Sequence, residues 1–260
     1  MSDVAAAVAR RTDDVVRALR DLDDESLNRP SLLPEWSRLT IACHLRYGAA
    51  ALALVTTEAL AGRPASYYPQ GREAQRPGTL VPEPGESPGA VIDSLGQLSR
   101  ALDEAWSALD DPAWQIDAVE PPDLPDLGTR SVRELAVGRL TEVEVHGTDL
   151  DIGLSDWSGE FVRAALPLRM QRLRTRPVRS PLSASWHFDV YDGPSYLVTV
   201  DGSAVDVREG GRERDASVTW KITSRDLLAM LLGRPMVGAP QFATSQPALL
   251  EAFGRAFPGP

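Results

Sequence analysis

Histidine is scarce in this chain, with only three copies: His44, His146 and His187. His146 follows Glu142 by four residues, which on a helix puts an imidazole and a carboxylate on one face with Cβ atoms roughly 6 Å apart. Arg139, three residues before Glu142, and Asp149, three after His146, lengthen that face into a polar stripe. A stripe of this kind is costly to bury unless each group finds a partner. The intervening Leu140, Val143 and Val145 leave no cleanly apolar side to bury in its place. Glu144 points about 160° away from His146. The simplest interpretation is a solvated face with an i,i+4 ion pair.

His44 lies among Ile41, Ala42, Leu45 and Ala49, the surroundings of an ordinary core histidine. Its interest depends on its company, because a helical bundle brings His and carboxylate ligands together from facing helices. With Glu142 and His146 it would supply two imidazoles and one carboxylate. Three protein ligands leave a coordination position open, as catalytic zinc sites do. Non-haem iron(II) accepts the same set, so spacing does not select the metal.

These residues need helices to carry them, and the first half of the chain supplies the pattern. Val4, Ala7, Val8, Val15, Val16, Leu19 and Leu22 recur near a 3.6-residue period and predict a helix over 3–22. A proline-bearing loop, 28–36, leads to a second helix over 38–61, so rich in small and apolar residues that it is expected to be buried on most sides. Residues 62–89, dense in proline and glycine, read as a long loop, and such loops are often functional. A third helix fits 89–109. After a proline-rich loop, 112–127, the capping box Ser131-Val-Arg-Glu134 opens a fourth helix running to about 152 and stopping near Gly153. An amphipathic segment follows, from Trp157 or Ser158 to 172.

The texture then changes. Residues 169–179 read as a basic linker. Alternating runs at 184–190, 196–200, 204–207 and 217–222 are separated by Asp192-Gly193, Asp201-Gly202 and Gly210-Gly211, which predicts hairpin-linked antiparallel strands. Helices at 224–232, with Ser224 as N-cap, and at 247–257 close the chain. The fold expected is mainly α with a C-terminal α+β domain: a four-helix bundle over residues 1–175 and a small antiparallel-sheet domain over 176–260.

Composition narrows the class. The 260 residues carry 27 basic and 37 acidic side chains, a net charge of −10 that argues against nucleic acid as a partner. No run approaches the ~20 apolar residues of a membrane span. The first residues lack a basic stretch leading into a long apolar one, so no signal peptide is expected and the cytoplasm is the expected compartment. A single cysteine, Cys43, excludes internal disulfides and a cysteine-based zinc cage. A monomer or small homo-oligomer is expected, with no membrane partner.

Longer motifs add a resemblance. Leu33-Pro-Glu-Trp36-Ser-Arg38, followed by Cys43-His44-Leu45, resembles the LPGW-(S/T)-R…HL pattern of the mycothiol-dependent maleylpyruvate isomerase family, part of the DinB-like superfamily. Arg139, Glu142, His146 and Asp149-Leu150, with Asp156-Trp157 beyond, resemble that family's metal-binding helix. Tyr68-Pro-Gln-Gly-Arg72 is similar to a Tyr…Arg loop of the same family. The resemblance covers the whole bundle in order and the C-terminal part more loosely.

It implies zinc, or another divalent metal, on His44, Glu142 and His146, and mycothiol as thiol cosubstrate. It also implies catalytic roles for Arg72 and Arg234, and cosubstrate binding by Arg72, Trp36 and Arg234. A coordinated thiol is deprotonated and becomes a nucleophile at neutral pH. The reference reaction adds that thiolate to a small electrophile, a cis-alkene conjugated to a carbonyl; bond rotation and thiolate release then give the trans isomer. A mycothiol S-transferase or S-conjugate exchange enzyme of detoxification or secondary metabolism would retain the new C–S bond. A non-catalytic, metal-stabilised binding or regulatory module is the alternative from another class. After Arg72 the chain departs from the family pattern with Arg76-Pro-Gly-Thr-Leu, where substrate is expected to sit.

Other candidates have structural explanations. His187 alternates with Trp186 and Phe188 as a sheet residue does. Cys43 points about 100° from His44 on a helix and reads as core. Arg163, Arg169, Arg172, Arg174, Arg176 and Arg179 read as a mostly solvated face, with one or two able to grip a carboxylate. Trp36 would otherwise simply pack the bundle. Arg234, in Leu-Leu-Gly-Arg-Pro, is expected to reach the ligand from the C-terminal domain, or else to cap its own helix. There is no P-loop and no dinucleotide fingerprint.

Overall fold

The computed structural model describes residues 2–179, 182–244 and 246–259. It divides into two compact units, Met1–Phe161 and Val162–Pro260.

The first unit carries helices α1 (Ser2–Arg20), α2 (Asp24–Asn28), α3 (Arg38–Leu60), α4 (Arg72–Thr79), α5 (Pro88–Ser107) and α6 (Val132–Asp149). Four of them form a closed bundle in which α1 and α3 each pack on both α5 and α6. Val15, Leu19, Ile41, Leu45, Leu95, Leu140 and Val143 fill its core, each such side chain contributing roughly 1.5–3 kcal/mol on burial. Helix α3 is long and apolar enough to span a membrane, yet most of its apolar window is buried inside the bundle.

Two parts of this unit differ from the sequence expectation. The 62–89 segment is not wholly loop, because α4 lies within it, with Pro77 in its last turn. The density of proline and glycine masked a helix too short to show a period. Strands β1 (Asp117–Ala118) and β2 (Arg130–Ser131) pair antiparallel and so close off the chain between them as a loop.

Helix α7 (Gly159–Arg172) leads to a 3-10 turn, Leu173–Thr175. The expected solvated linker is instead anchored here: Leu173 is buried, and Arg174 and Arg176 donate to the carbonyls of Val207 and Pro258. Beyond it lie β3 (Leu182–Val190), β4 (Tyr196–Gly202), β5 (Ala204–Glu209), β6 (Val218–Ile222), α8 (Ser224–Leu232), β7 (Gln241–Thr244) and α9 (Ala248–Ala256). The sheet order is β5-β4-β3-β6-β7. It is antiparallel except where β6 pairs parallel to β3, in register Trp186 to Val218.

The Gly210-Gly211 turn therefore does not make the hairpin its composition suggests. It carries the chain from β5 past β4 to the far side of β3. A Cβ on Gly211 (φ 107°) would sit 2.8 Å from that of Leu197 on β4, so only glycine passes so close. Strand β7, short and largely exposed, gave no periodic signal. Helix α8 is capped by Thr223 rather than Ser224: β6 stays extended through Ile222, and the Thr223 hydroxyl accepts from the Asp226 N–H at 3.1 Å.

Candidate metal centre

Helix α3 is set in place by the segment before it. Ser37 caps it, accepting from the Thr40 N–H at 3.1 Å. Arg38 then donates to the carbonyls of Leu150 (2.9 Å), Ser26 (3.1 Å) and Asp151 (3.3 Å), tying the start of α3 to the end of α6. The chain turns into Trp36 through Glu35, whose φ of 67° is left-handed. Both ligand-bearing helices are thus fixed against one another at the level of the Trp-Ser-Arg motif.

On this frame three donor atoms converge. His44 Nε2 lies 2.9 Å and His146 Nε2 3.3 Å from the same Glu142 oxygen, Oε2. All three donors fall within 4.8 Å of one another. Tetrahedral ligands on bonds of about 2.1 Å stand about 3.4 Å apart, so the set fits a divalent ion after small adjustments. Asp149 Oδ2 accepts from His146 Nδ1 at 3.0 Å and so turns Nε2 toward the centre, the usual second partner of a metal-binding histidine. The side chains of His44 and His146 are 15% and 13% exposed, and Glu142 is 44% exposed, so the cluster is open on the carboxylate side.

The charges are strongly coupled. Burial lowers the pKa of His44, against the hydrogen bond and charge of Glu142, with His146 and Arg76 lowering it further. Burial also opposes protonation of His146, but the bonds to Asp149 and Glu142 prevail and push it up to about 9. Burial would raise Glu142, yet hydrogen bonds from both imidazoles hold it well below the usual carboxylate range. The carboxylate is thus an ionised ligand at any working pH.

The stripe predicted on α6 is not a solvated face. Arg139 is 1% exposed and donates to the Leu45 carbonyl (2.8 Å) and the Ser99 hydroxyl (3.3 Å). It thereby braces α3 beside His44. Glu144 points away as expected, ion-paired with Arg11 at 3.1 Å and bonded to Ser158. Gly147 makes room for that arginine, since a Cβ there would lie 3.0 Å from Arg11 Nε.

Trp36 stands against the centre, edge-on to His44 at 5.4 Å and stacked on His146 at 6.0 Å between ring centroids. Arg76 lies over the Trp36 ring at 5.6 Å. Tyr67 packs on Tyr47 and Tyr68. Its hydroxyl lies 3.0 Å from where a Cβ on Gly48 would stand, one turn past His44. Burial, and then the Glu142 charge, raise the pKa of Tyr67, so it stays a neutral donor. Arg72 is more exposed than these, over Tyr68 at 5.5 Å and ion-paired with Asp126.

One residue without a sequence signal organises this wall. Glu120, 6% exposed, accepts from the Tyr67 N–H through Oε1 at 2.7 Å. Its Oε2 takes the N–H groups of Asp126 (2.6 Å), Leu127 (2.5 Å) and Gly128 (2.8 Å). Glu120 therefore joins the Tyr67 loop to the Asp126 loop. An acidic residue in a proline-rich stretch, Val-Glu-Pro-Pro, carries no pattern that would reveal such a role.

The remaining candidates lie elsewhere. Cys43 is fully buried, and burial pushes its thiol up to about 11, as suits a core residue. His187 is 7% exposed in β3, with neither ring nitrogen hydrogen-bonded among the described residues. Arg234 follows α8 in the second unit, its backbone fixed by Gly233 (φ 64°) and by donation of its N–H to the Ala229 carbonyl at 2.9 Å.

Comparison with known proteins bears on the family and the fold. The pattern of the mycothiol maleylpyruvate isomerase N-terminal domain matches residues 8–151. The fold is similar to the crystal structure of the mycothiol-dependent maleylpyruvate isomerase, with 18% identity, a TM-score of 0.67, and 94% of this chain and 92% of that chain covered. A histidine-to-alanine mutant of that isomerase, also solved, matches equally well. No curated protein matches by sequence.

Proposed function

The chain belongs to the mycothiol maleylpyruvate isomerase family through its helical unit, and from that premise we propose that it is a cytoplasmic, mycothiol-dependent metalloenzyme. The observation that carries the reading is the convergence of His44 Nε2, Glu142 Oε2 and His146 Nε2 on one point with an open side. These residues would hold zinc or a similar divalent ion. When bound, the ion supplies Lewis acidity and lowers the pKa of a coordinated thiol.

The protein's own groups do the rest. Asp149 keeps His146 in the ligating tautomer. Trp36 offers a flat wall for the cosubstrate, and neutral Tyr67 can donate a hydrogen bond to an oxygen that gains charge. The substrate's conjugated alkene takes up the thiolate: a C–S bond forms and the π pair moves to the carbonyl oxygen. Rotation about the new single bond and return of that pair expel the thiolate and leave the trans-alkene, with no change in mass. Arg72 is assigned to anionic or polar groups of substrate and cosubstrate.

Metal analysis of protein purified without added metal, then mass spectrometry of products from mycothiol and a panel of small electrophiles, tests the proposal. One equivalent of metal, lost in His44→Ala, and a thiol-dependent product of unchanged mass are expected. A product heavier by the thiol makes it an S-transferase. Absence of turnover, with metal removal lowering only the melting temperature, makes it a binding module.

A further inference from the structure

The two edges of the five-stranded sheet are finished differently. At one edge, β5 carries Asp206, Arg208 and Glu209, with Arg208 ion-paired to Asp206 at 2.6 Å. The turn at Leu173–Thr175 packs along it, and Arg174 donates to the Val207 carbonyl. Charge and cover of this kind keep a further strand from adding. The β7 edge has neither. Its sequence is Gln-Phe-Ala-Thr, and no strand lies beyond it in the sheet. Among the described residues its backbone groups pair with β6 alone.

The surroundings of β7 repeat the contrast. Residues 235–250 hold no charged side chain, the longest such run in a chain that is 25% charged and has a net charge of −10. No described residue of that run is buried. Met236 is 38%, Phe242 56% and Val237 75% exposed. The fold nevertheless holds the strip in one shape. Asp226, itself buried, accepts from the Val237 N–H at 2.8 Å and the Gly238 N–H at 3.1 Å. A Cβ on Gly238 would lie 2.8 Å from that carboxylate. At the other end, the Thr244 hydroxyl donates to the Ser217 carbonyl at 2.9 Å. Phe242 leans on Trp220, with ring centroids 5.9 Å apart. Little ordering is left for a partner to impose.

An edge strand turns the N–H and C=O of every second residue away from its sheet, and such a row accepts another strand. A second copy of this chain is the partner that fits. About a two-fold axis, β7 meets its own image antiparallel, so that donors face acceptors and the contact is self-complementary. Two chains that each carry −10 repel one another, and a strip without charge is where they approach at least cost. We infer that β7 is the contact through which two copies form a symmetric dimer, their sheets joined edge to edge and Phe242 and Val237 flanking the joint.

The test is sedimentation equilibrium of the purified protein over a concentration series, for wild type, Phe242→Lys and Arg208→Ala. Circular dichroism and melting temperature of dilute samples first establish that each variant is folded. Hydrogen exchange of the 241–244 amides is then followed above and below the dissociation midpoint. Wild type and Arg208→Ala are expected to dimerise alike, and Phe242→Lys to stay monomeric under the same conditions. The outward amides of β7 should exchange at least about 10-fold more slowly in the dimer. A wild type that is monomeric at every concentration overturns the inference and leaves the edge to a partner of another kind. A dimer that survives Phe242→Lys, or that Arg208→Ala dissolves, places the contact elsewhere and overturns it too. So does a dimer whose β7 amides exchange as fast as in the monomer, because the strands are then not paired.

Discussion

The floor of the candidate metal centre takes its donor side chains from two long helices, whereas the wall beside it hangs from loops that one buried carboxylate ties together. On the floor, position follows from helical geometry: Glu142 and His146 share a face because they are four residues apart, and His44 meets them because α3 packs on α6. In the wall, Tyr67 and Asp126 are brought together by Glu120, which accepts four backbone N–H groups from two separate segments. A floor of this kind tolerates change around it, while the wall depends on a single side chain.

That dependence is the largest effect expected. Glu120→Ala leaves four N–H groups without their acceptor, and charged hydrogen bonds of this sort contribute about 1.5–3 kcal/mol each before water substitutes. A loss of about 3 kcal/mol or more in urea unfolding is expected. In the same variant the affinity for metal should be nearly unchanged. If metal affinity falls together with stability, floor and wall are not separate structures.

The converse variant is Asp149→Asn, which alters the floor alone. The carboxylate that orients His146 becomes an amide, and such second partners typically govern metal affinity by 10- to 100-fold. Competition with a chelator should show a loss in that range, with unfolding affected by less than Glu120→Ala. An unchanged affinity would mean that the helix by itself aims His146.

The contrast also explains what was legible in the sequence. Helix periods and the capping box at Ser131 placed the bundle, and the i,i+4 pair marked two of the three side chains that meet in the cluster able to hold a metal. The family motif at Trp36-Ser-Arg38 is now accounted for by a cap and a three-carbonyl tie. Glu120 and Tyr67 were out of reach because their roles arise from loop closure, in which partners are distant in sequence and no period exists. The parallel pairing of β6 was missed for the same reason: Gly210-Gly211 has the composition of a hairpin turn, and only contact with Leu197 shows it to be a crossover.

Beneath the floor, Asp103 offers a test by pH. Burial pushes it up to about 6, with Arg139 pulling it back and Asp13 adding to the rise. In the unfolded chain an aspartate titrates near 3.9. Between about pH 4 and 6 the folded state therefore holds a proton that the unfolded chain has lost, and stability falls as pH rises through that window. Asp103→Asn removes the deficit. It is expected to stabilise by about 1–2 kcal/mol at pH 7.5 and by nothing below about pH 4. A loss at pH 7.5 would show that Asp103 serves as the counter-charge to Arg139 instead.

The smallest effect concerns the hinge where loop becomes floor. Glu35 is exposed and holds φ at 67°, where the family pattern has glycine. An L-residue in the left-handed region is strained by about 1–2 kcal/mol, and glycine gives back about 0.5–1 kcal/mol of that in chain entropy. Glu35→Gly should therefore stabilise by about 0.5–1 kcal/mol, read as a small upward shift in melting temperature, with metal affinity unaltered. The turn it occupies delivers Trp36 to the two histidines, so the variant also asks whether strain there is needed to hold the ring in place. If Glu35→Gly is more stable and binds metal as before, the wall joins the floor through backbone bonds alone: the Ser31 N–H to the Trp36 carbonyl at 2.9 Å and the Leu32 N–H to the Asp149 carbonyl at 2.8 Å. If it is less stable, the Glu35 side chain does something the turn geometry does not account for, and the boundary between the two regions lies one residue earlier than Trp36.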